Sequence, residues 1–180
     1  MELILETLFN PSILFLKIKE NRKILLSLSV GASAWLSFLV GGLVIAHLSI
    51  SLPKVIIIFL LSFIFIVFMI SIHTMWIHFI SELFGGEGKA IVLFSLFINC
   101  LTPLHLFLPL SLILKNRSIF IILPILSIPI IWSKILGFKA IKMNYNLSYG
   151  KILTILILPA IFLSMFFLLI LFSSIRFFHG

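Results

Sequence analysis

Long apolar runs alternate with short polar segments along most of the chain. From residue 24 onward, runs of about 20 to 25 residues carry almost no charged side chain, and ~20 consecutive apolar residues are enough for a helix to cross a bilayer. The pattern predicts an all-α, polytopic membrane protein with five transmembrane helices, over residues 24–48, 55–80, 90–114, 119–140 and 151–172.

The first 23 residues follow a different pattern. Asn10 and Pro11 are typical of a helix start, with the asparagine as the N-cap and the proline in the first turn. After them, apolar residues are interspersed with basic ones as far as Lys23. We therefore expect a cytoplasmic arm, residues 1–23, that forms an interfacial amphipathic helix on the bilayer, with a solvated arm as the alternative. Residues 24–180 form the transmembrane domain.

Composition excludes a water-soluble fold and points to membrane lipids as partners. Hydrophobic residues make up 62% of the chain and charged residues 10%, whereas a soluble domain has roughly 25% charged residues. The net charge is +8, but the basic residues flank apolar runs and form no basic face, so we expect no nucleic-acid partner. The single cysteine, Cys100, lies in an apolar run, and one cysteine cannot form an intramolecular disulfide.

The basic residues also predict an orientation. Five spans place the termini on opposite sides of the membrane, and the side of the amino terminus carries nine of the 13 Lys and Arg residues, against four on the other side. Cytoplasmic loops carry the excess of Lys and Arg. We expect a cytoplasmic amino terminus and an external carboxyl terminus.

A charged glycine turn connects the second and third predicted spans. Glycines suit reversals that need positive φ or close passage of two backbones. Because Ala90, and not Ser or Thr, follows Gly88-Lys89, the turn does not match a phosphate-binding loop. It is either a hinge alone or a contact surface for a partner or for lipid headgroups, and we assign that contact to Glu82, Gly85, Gly86, Glu87 and Lys89.

Polar residues inside the predicted spans are the second candidate site. His73, Asn99 and His105 are polar residues in apolar runs, and the positions of His73 and Asn99 would allow the two to meet. Pro103 and Pro109 break the third span. Because Pro103 cannot donate a hydrogen bond to the carbonyl of Asn99, we expect that carbonyl to have another partner. A permease or ion-conducting subunit would use such residues, but a structural polar contact is the favoured interpretation. No acidic residue lies within a span, so we expect no metal site, and catalytic signatures are absent. No cofactor is expected.

Small residues recur at every fourth position of the first span, where they would line one helix ridge. In lipid, a small-residue ridge lets another helix approach closely. We predict helix packing through Ser29, Ser33, Ser37 and Gly41. The partner of this ridge is a helix of the same chain or of a second copy in a homo-oligomer.

Several short motifs resemble the Yip (Ypt-interacting protein) domain family. They are Leu8-Phe9-Asn10-Pro11 in the arm, Phe84-Gly85-Gly86-Glu87-Gly88 with Pro103 downstream, and Trp132, Lys139-Ala140 and Asn146-Leu147-Ser148 before Lys151. The resemblance covers nearly the whole chain and implies five spans with a cytoplasmic amino terminus. In eukaryotes it implies scaffolding of Rab-type GTPases, by members with a longer arm and an Asp-Leu-Tyr-Gly-Pro-like motif.

The chain has neither that longer arm nor that motif. It is more similar to the short prokaryotic members of the family, and we expect no Rab-type partner but a place in a prokaryotic cytoplasmic membrane. The sequence therefore predicts a non-enzymatic membrane-organising or interaction scaffold, with a membrane or cytoplasmic protein as partner. The alternative is a small permease or ion-conducting subunit.

Overall fold

The computed structural model describes residues 10–21, 24–158 and 161, and all regular structure in that part of the chain is helical. Seven α-helices and one 3₁₀ helix follow one another there. They are α1 (Pro11–Asn21), α2 (Ile24–Ile45), α3 (Leu52–Leu83), α4 (Ala90–Asn99), the 3₁₀ helix (Thr102–Leu106), α5 (Phe107–Leu114), α6 (Ile119–Tyr145) and α7 (Tyr149–Leu158).

Four segments of the described chain are long and apolar enough to cross a membrane. They are α2, α3, the segment Ala90–Leu114 that includes α4 and α5, and α6. The prediction of an all-helical, multi-pass membrane protein is thereby confirmed. Of the predicted fifth span, residues 151–172, the structure describes α7 as far as Leu158 and the single residue Ile161; the remainder lies outside the described residues.

The helix ends differ from the predicted span ends. The longest helix, α3, covers Leu52–Leu83 and not 55–80, and its 32 residues reach ~48 Å at 1.5 Å per residue, more than the ~30 Å hydrocarbon core. Likewise α6 continues to Tyr145, beyond 140. Apolar length indicates what fits in lipid, whereas capping residues end a helix. In contrast, α2 ends at Ile45, before the predicted end at residue 48, and His47 beyond it has a φ of 52°.

The third span is broken in its middle, as its prolines predict. Between α4 and α5 the backbone tightens into the 3₁₀ helix, which carries Pro103. Along its whole length this broken span packs against α2. Its α4 half belongs to the main hydrophobic cluster, which it shares with α1, α3, α6 and α7, and its α5 half belongs to a smaller cluster with α6, which includes Phe107, Leu114 and Ile122.

The amino-terminal helix begins at Pro11, as predicted, and packs on the bundle. Phe15 and Ile18 are buried in the main cluster, where α1 contacts α4 and α6, whereas Ile13 and Leu16 are half exposed. The Lys19 Nζ atom donates to the Met143 carbonyl at 3.3 Å, in the last turn of α6. A cation there also interacts favourably with the negative end of the helix dipole. One apolar face of α1 is thus buried by protein, where the sequence predicted contact with the bilayer.

Candidate functional site

The glycine turn starts with a Schellman-type helix end. The Gly86 N–H donates to the Ser81 carbonyl and the Gly85 N–H donates to the Glu82 carbonyl, both at 2.9 Å. This pair of bonds requires a left-handed residue after the last helical turn, and Gly85 supplies it with a φ of 81°. The positive φ expected in the turn is therefore at Gly85, and the helix carbonyls that would otherwise lack partners are bonded.

The next two glycines allow the turn to lie against the end of α6. A Cβ atom on Gly86 would lie 2.9 Å from the Tyr145 Cβ, and one on Gly88 would lie 2.5 Å from the Tyr145 Cε1 and 2.7 Å from the Asn144 Nδ2. No carbon atom packs that closely to another without displacing it. Gly86 and Gly88 are therefore required by the contact with Tyr145, which is itself buried.

Asn144 fastens the turn through the backbone of Lys89. Its Nδ2 donates to the Lys89 carbonyl at 3.1 Å, and its Oδ1 accepts from the Lys89 N–H at 3.5 Å. Asn144 is 3% exposed, and its side-chain amide connects the start of α4 to the end of α6. Two bonds from one rigid amide fix both the position and the orientation of that backbone.

A chain of three polar side chains continues from Tyr145 to the surface. The Tyr145 hydroxyl lies 2.8 Å from His78 Nδ1, and His78 Nε2 lies 3.4 Å from a Glu82 carboxylate oxygen, one helical turn further along α3. In the tautomer with the ring proton on Nε2, that N–H faces the Glu82 carboxylate, which accepts, and Tyr145 donates to Nδ1. On the other side, Lys151 Nζ donates to the Phe84 carbonyl at 2.8 Å.

The turn therefore holds exposed charges on a fixed backbone. Glu82, Gly85, Glu87 and Lys89 are exposed, whereas Gly86 is buried. Of the five predicted contact residues, four are accessible and the fifth packs against Tyr145. Such an arrangement suits recognition of another molecule. The part of the chain that the structure describes contains no group of three or more His, Cys, Asp or Glu side chains that could hold a metal ion.

Sequence reasoning missed the side of this site that α6 and α7 form. Tyr145, Asn144 and Lys151 hold the turn, but they follow the turn by more than 50 residues in sequence. One signal was present: both tyrosines of the chain, Tyr145 and Tyr149, lie in the polar region after the fourth apolar run, and Tyr is enriched at membrane interfaces.

The predicted intramembrane residue Asn99 anchors α4 to α2. Its Nδ2 donates to the Ser27 hydroxyl at 2.7 Å and to the Ser95 carbonyl at 2.8 Å. Thr102 donates to the Asn99 carbonyl at 2.6 Å, which is the carbonyl that Pro103 cannot serve. The prediction that this carbonyl finds another partner is confirmed.

At the second proline, the Ser37 hydroxyl bonds backbone groups near His105 that lack a helical partner. Pro109 cannot donate to the His105 carbonyl, and Ser37 Oγ donates to it at 2.9 Å while accepting from the Leu108 N–H at 3.3 Å. The His105 ring contacts the Thr102 carbonyl at 2.8 Å and Ser33 Oγ at 2.9 Å. Both ring nitrogens thus have structural partners, which favours the structural interpretation of His105.

Most of the small-residue ridge of α2 packs against the third span. A Cβ on Gly41 would lie 2.8 Å from the Phe107 ring and 3.1 Å from the Phe107 carbonyl oxygen. Ser33 and Ser37 bond the third span as described above, with Ser33 at the exposed edge. Ser29 is exposed, and its hydroxyl donates to Leu26 of its own helix. The buried face of α2 includes Ser27 and Ala34. Residues spaced every four positions turn gradually around a helix, so Ser29 does not lie on the same face as Gly41.

His73 is separate from this polar network. It lies on the exposed side of α3, and its ring centroid is 5.5 Å from that of Phe97 in α4. The sequence had suggested that His73 and Asn99 meet, but Asn99 is directed toward α2 by its bond to Ser27.

Comparisons with protein-family models, with curated proteins and with solved structures find no significant match to this chain. The resemblance to the Yip family therefore depends on the sequence motifs alone.

Proposed function

We propose that this chain is a non-enzymatic scaffold of the Yip type, which holds a protein partner at the cytoplasmic surface of a membrane through its glycine turn. The observation that carries the proposal is the display of Glu82, Glu87 and Lys89 on a backbone fixed from both sides. A hinge that only reversed the chain would need neither the Asn144 bridge nor the close contact of Gly88 with Tyr145. Binding is favoured when the contact surface is ordered before the partner arrives.

The distribution of charge supports a protein partner over a purely lipid role. Many lysines lie at the same end of the helices as the turn, including Lys19, Lys142 and Lys151, and lysines there attract anionic headgroups. The exposed carboxylates of Glu82 and Glu87 would be repelled by the same headgroups. Lysines therefore hold this end at the membrane, and the two carboxylates offer a contact for basic side chains of a partner.

The same distribution supports the cytoplasmic orientation. In the described chain the opposite end of the bundle carries Lys54, Lys115 and Arg117, fewer cations than the end with the turn. The positive-inside rule then assigns the turn and the amino terminus to the cytoplasm. A fifth span over 151–172 completes the proposed topology and places the carboxyl terminus outside, and α7 is the start of that span. The half-exposed Ile13 and Leu16 of α1 support contact of the arm with the interface.

Affinity purification from native membranes tests the proposal. We expect a protein that co-purifies with the wild-type chain to be lost from the double variant Glu87→Ala, Lys89→Ala. Both side chains are exposed, so the variant keeps its fold, since exposed charges contribute below ~1 kcal/mol to stability. Adding Glu82→Ala also removes the carboxylate beside His78, so this third change is made separately.

The matched control is the triple variant Lys54→Ala, Lys115→Ala, Arg117→Ala at the opposite end of the bundle. It should retain the partner at the wild-type level. If the double variant and the variant with Glu82→Ala added both retained every partner, the turn would serve only to reverse the chain. Loss of anionic phospholipid alone would assign the turn to lipid.

A further inference from the structure

A cavity of about 450 Å³ lies between the helices at the level of the predicted membrane. Its walls come from α2, α3, α4, α6 and α7, and they are largely aromatic and aliphatic, with Trp35, Phe38, Ile70, Phe97, Phe138 and Leu156 among them. Ligand pockets in proteins have volumes of roughly 300–1,000 Å³ and combine apolar walls with a few polar groups. The cavity has both the size and the lining of such a pocket.

Three polar side chains of this cavity are unusual for an intramembrane wall. His73 comes from α3, whereas Ser133 and Lys134 come from α6. The Ser133 hydroxyl oxygen is buried and has no hydrogen-bond partner in the part of the chain that the structure describes. Buried polar atoms are nearly always bonded, and a polar group in the cavity would supply the bond that Ser133 lacks.

Lys134 is an exposed side chain of α6, and no acidic side chain of the described residues pairs with it. All acidic residues of the protein precede Lys89, so residues 90–180 contain no Asp or Glu. Of the described carboxylates, Glu82 pairs with His78 and Glu87 is exposed on the turn. Lys134 lies six residues before Ala140, where the predicted fourth span ends, or ~9 Å along the helix. An ionisable residue at that depth normally has a partner or a function.

We propose that the cavity binds a fatty acid, a single-chain anionic amphiphile, whose carboxylate pairs with Lys134. The carboxylate also accepts hydrogen bonds from Ser133 and His73, and the acyl chain occupies the apolar remainder of the cavity. One cation matches one negative charge. The volume lies in the lower half of the usual range for ligand pockets, which favours one chain over the two chains of a phospholipid. This inference is independent of the function proposed for the turn.

Photolabelling of the intact protein in phosphatidylcholine nanodiscs tests it. The probe is a long-chain fatty acid with a diazirine near the end of its chain, and labelled residues are mapped by mass spectrometry. We expect label on cavity walls such as Phe97 and Phe138. Lys134→Met should lower the apparent affinity about tenfold or more, as loss of a charge-assisted hydrogen bond predicts, while Lys134→Arg retains it.

Lys139→Met is the control, because Lys139 is, like Lys134, an exposed lysine of α6 but does not line the cavity. It should label as the wild type does. The matching fatty alcohol should label the wild type and Lys134→Met equally, and weakly. Equal fatty-acid labelling of the wild type and Lys134→Met would overturn the proposal. So would label outside the cavity, or competition by phosphatidylglycerol as strong as that by unlabelled fatty acid.

A second variant keeps the test decisive if Lys134→Met does not fold. A Cβ on Gly137 would lie at an ordinary 3.8 Å from the Phe97 ring, so Gly137→Leu extends into the cavity without striking the backbone. It should abolish labelling by occupying the volume, at unchanged elution in size-exclusion chromatography. Undiminished labelling of a folded Gly137→Leu variant would refute the site.

Discussion

Gly41 and Gly42 are neighbours in α2 with opposite surroundings, and they make a sharp test of the helix interface. A Cβ on Gly41 would meet the Phe107 ring at 2.8 Å, the Ser111 hydroxyl at 2.9 Å and the Phe107 carbonyl at 3.1 Å, whereas a Cβ on Gly42 would meet nothing within 4 Å. Inserting a methyl group into a packed contact costs about 1–3 kcal/mol. Replacing Gly by Ala in a helix gains about 0.8–1.0 kcal/mol in propensity.

The propensity gain applies to both positions and cancels in their difference. We therefore expect Gly41→Ala to be less stable than Gly42→Ala by about 1–3 kcal/mol, the whole steric term. Gly42→Ala itself should match or exceed the wild type. Equilibrium unfolding in mixed micelles, or thermal melting in one detergent, measures the gap. Equal stability of the two alanine variants would refute the close packing of α2 against the third span.

Two further predictions concern orientation and backbone repair. In a chain with Cys100→Ser, a cysteine at Ser118 should react with an impermeant thiol reagent from outside the cell and a cysteine at Glu87 should not; the reverse pattern would contradict the orientation. Ser37→Ala leaves two backbone groups without partners and should cost about 1–3 kcal/mol, whereas Ser29→Ala, on the exposed side, should change the melting temperature little. Similar melting temperatures for both would contradict the role of Ser37.

The parts of the fold that follow from lipid thickness and proline chemistry were predictable from sequence. Long apolar runs predicted the four described segments that are long and apolar enough to cross a membrane. Pro103 predicted both the break in the third of them and a new partner for the Asn99 carbonyl. These features depend on local rules: an apolar run must reach across the bilayer, and a proline has no N–H.

The parts that depend on distant contacts were not predictable from a single sequence. Nothing local indicates that Tyr145 packs on Gly88, or that the Asn144 amide bonds the Lys89 backbone. The ridge of α2 shows the same limit on a smaller scale. Fourfold spacing drifts around a 3.6-residue helix, so Ser37 and Gly41 reach the interface and Ser29 does not.

The helix ends show a third kind of difference. The apolar criterion placed the end of the second span at residue 80, and α3 continues to Leu83, where Gly85 can adopt the positive φ that ends the helix. The glycine was visible in the sequence, and its role in the cap follows from its place in the hydrogen-bond pattern. Candidate contact residues such as Glu82 lie in that last turn, beyond the predicted apolar run.

Site-specific photocrosslinking in living cells tests directly whether the glycine turn contacts a protein partner. A photoreactive amino acid in place of Glu87 should give a discrete protein adduct, because this side chain is exposed at the middle of the turn. The same amino acid in place of Arg117, at the opposite end of the bundle, should not give that adduct. Lipid adducts alone at position 87, or the same products as at position 117, would contradict a protein contact at the turn.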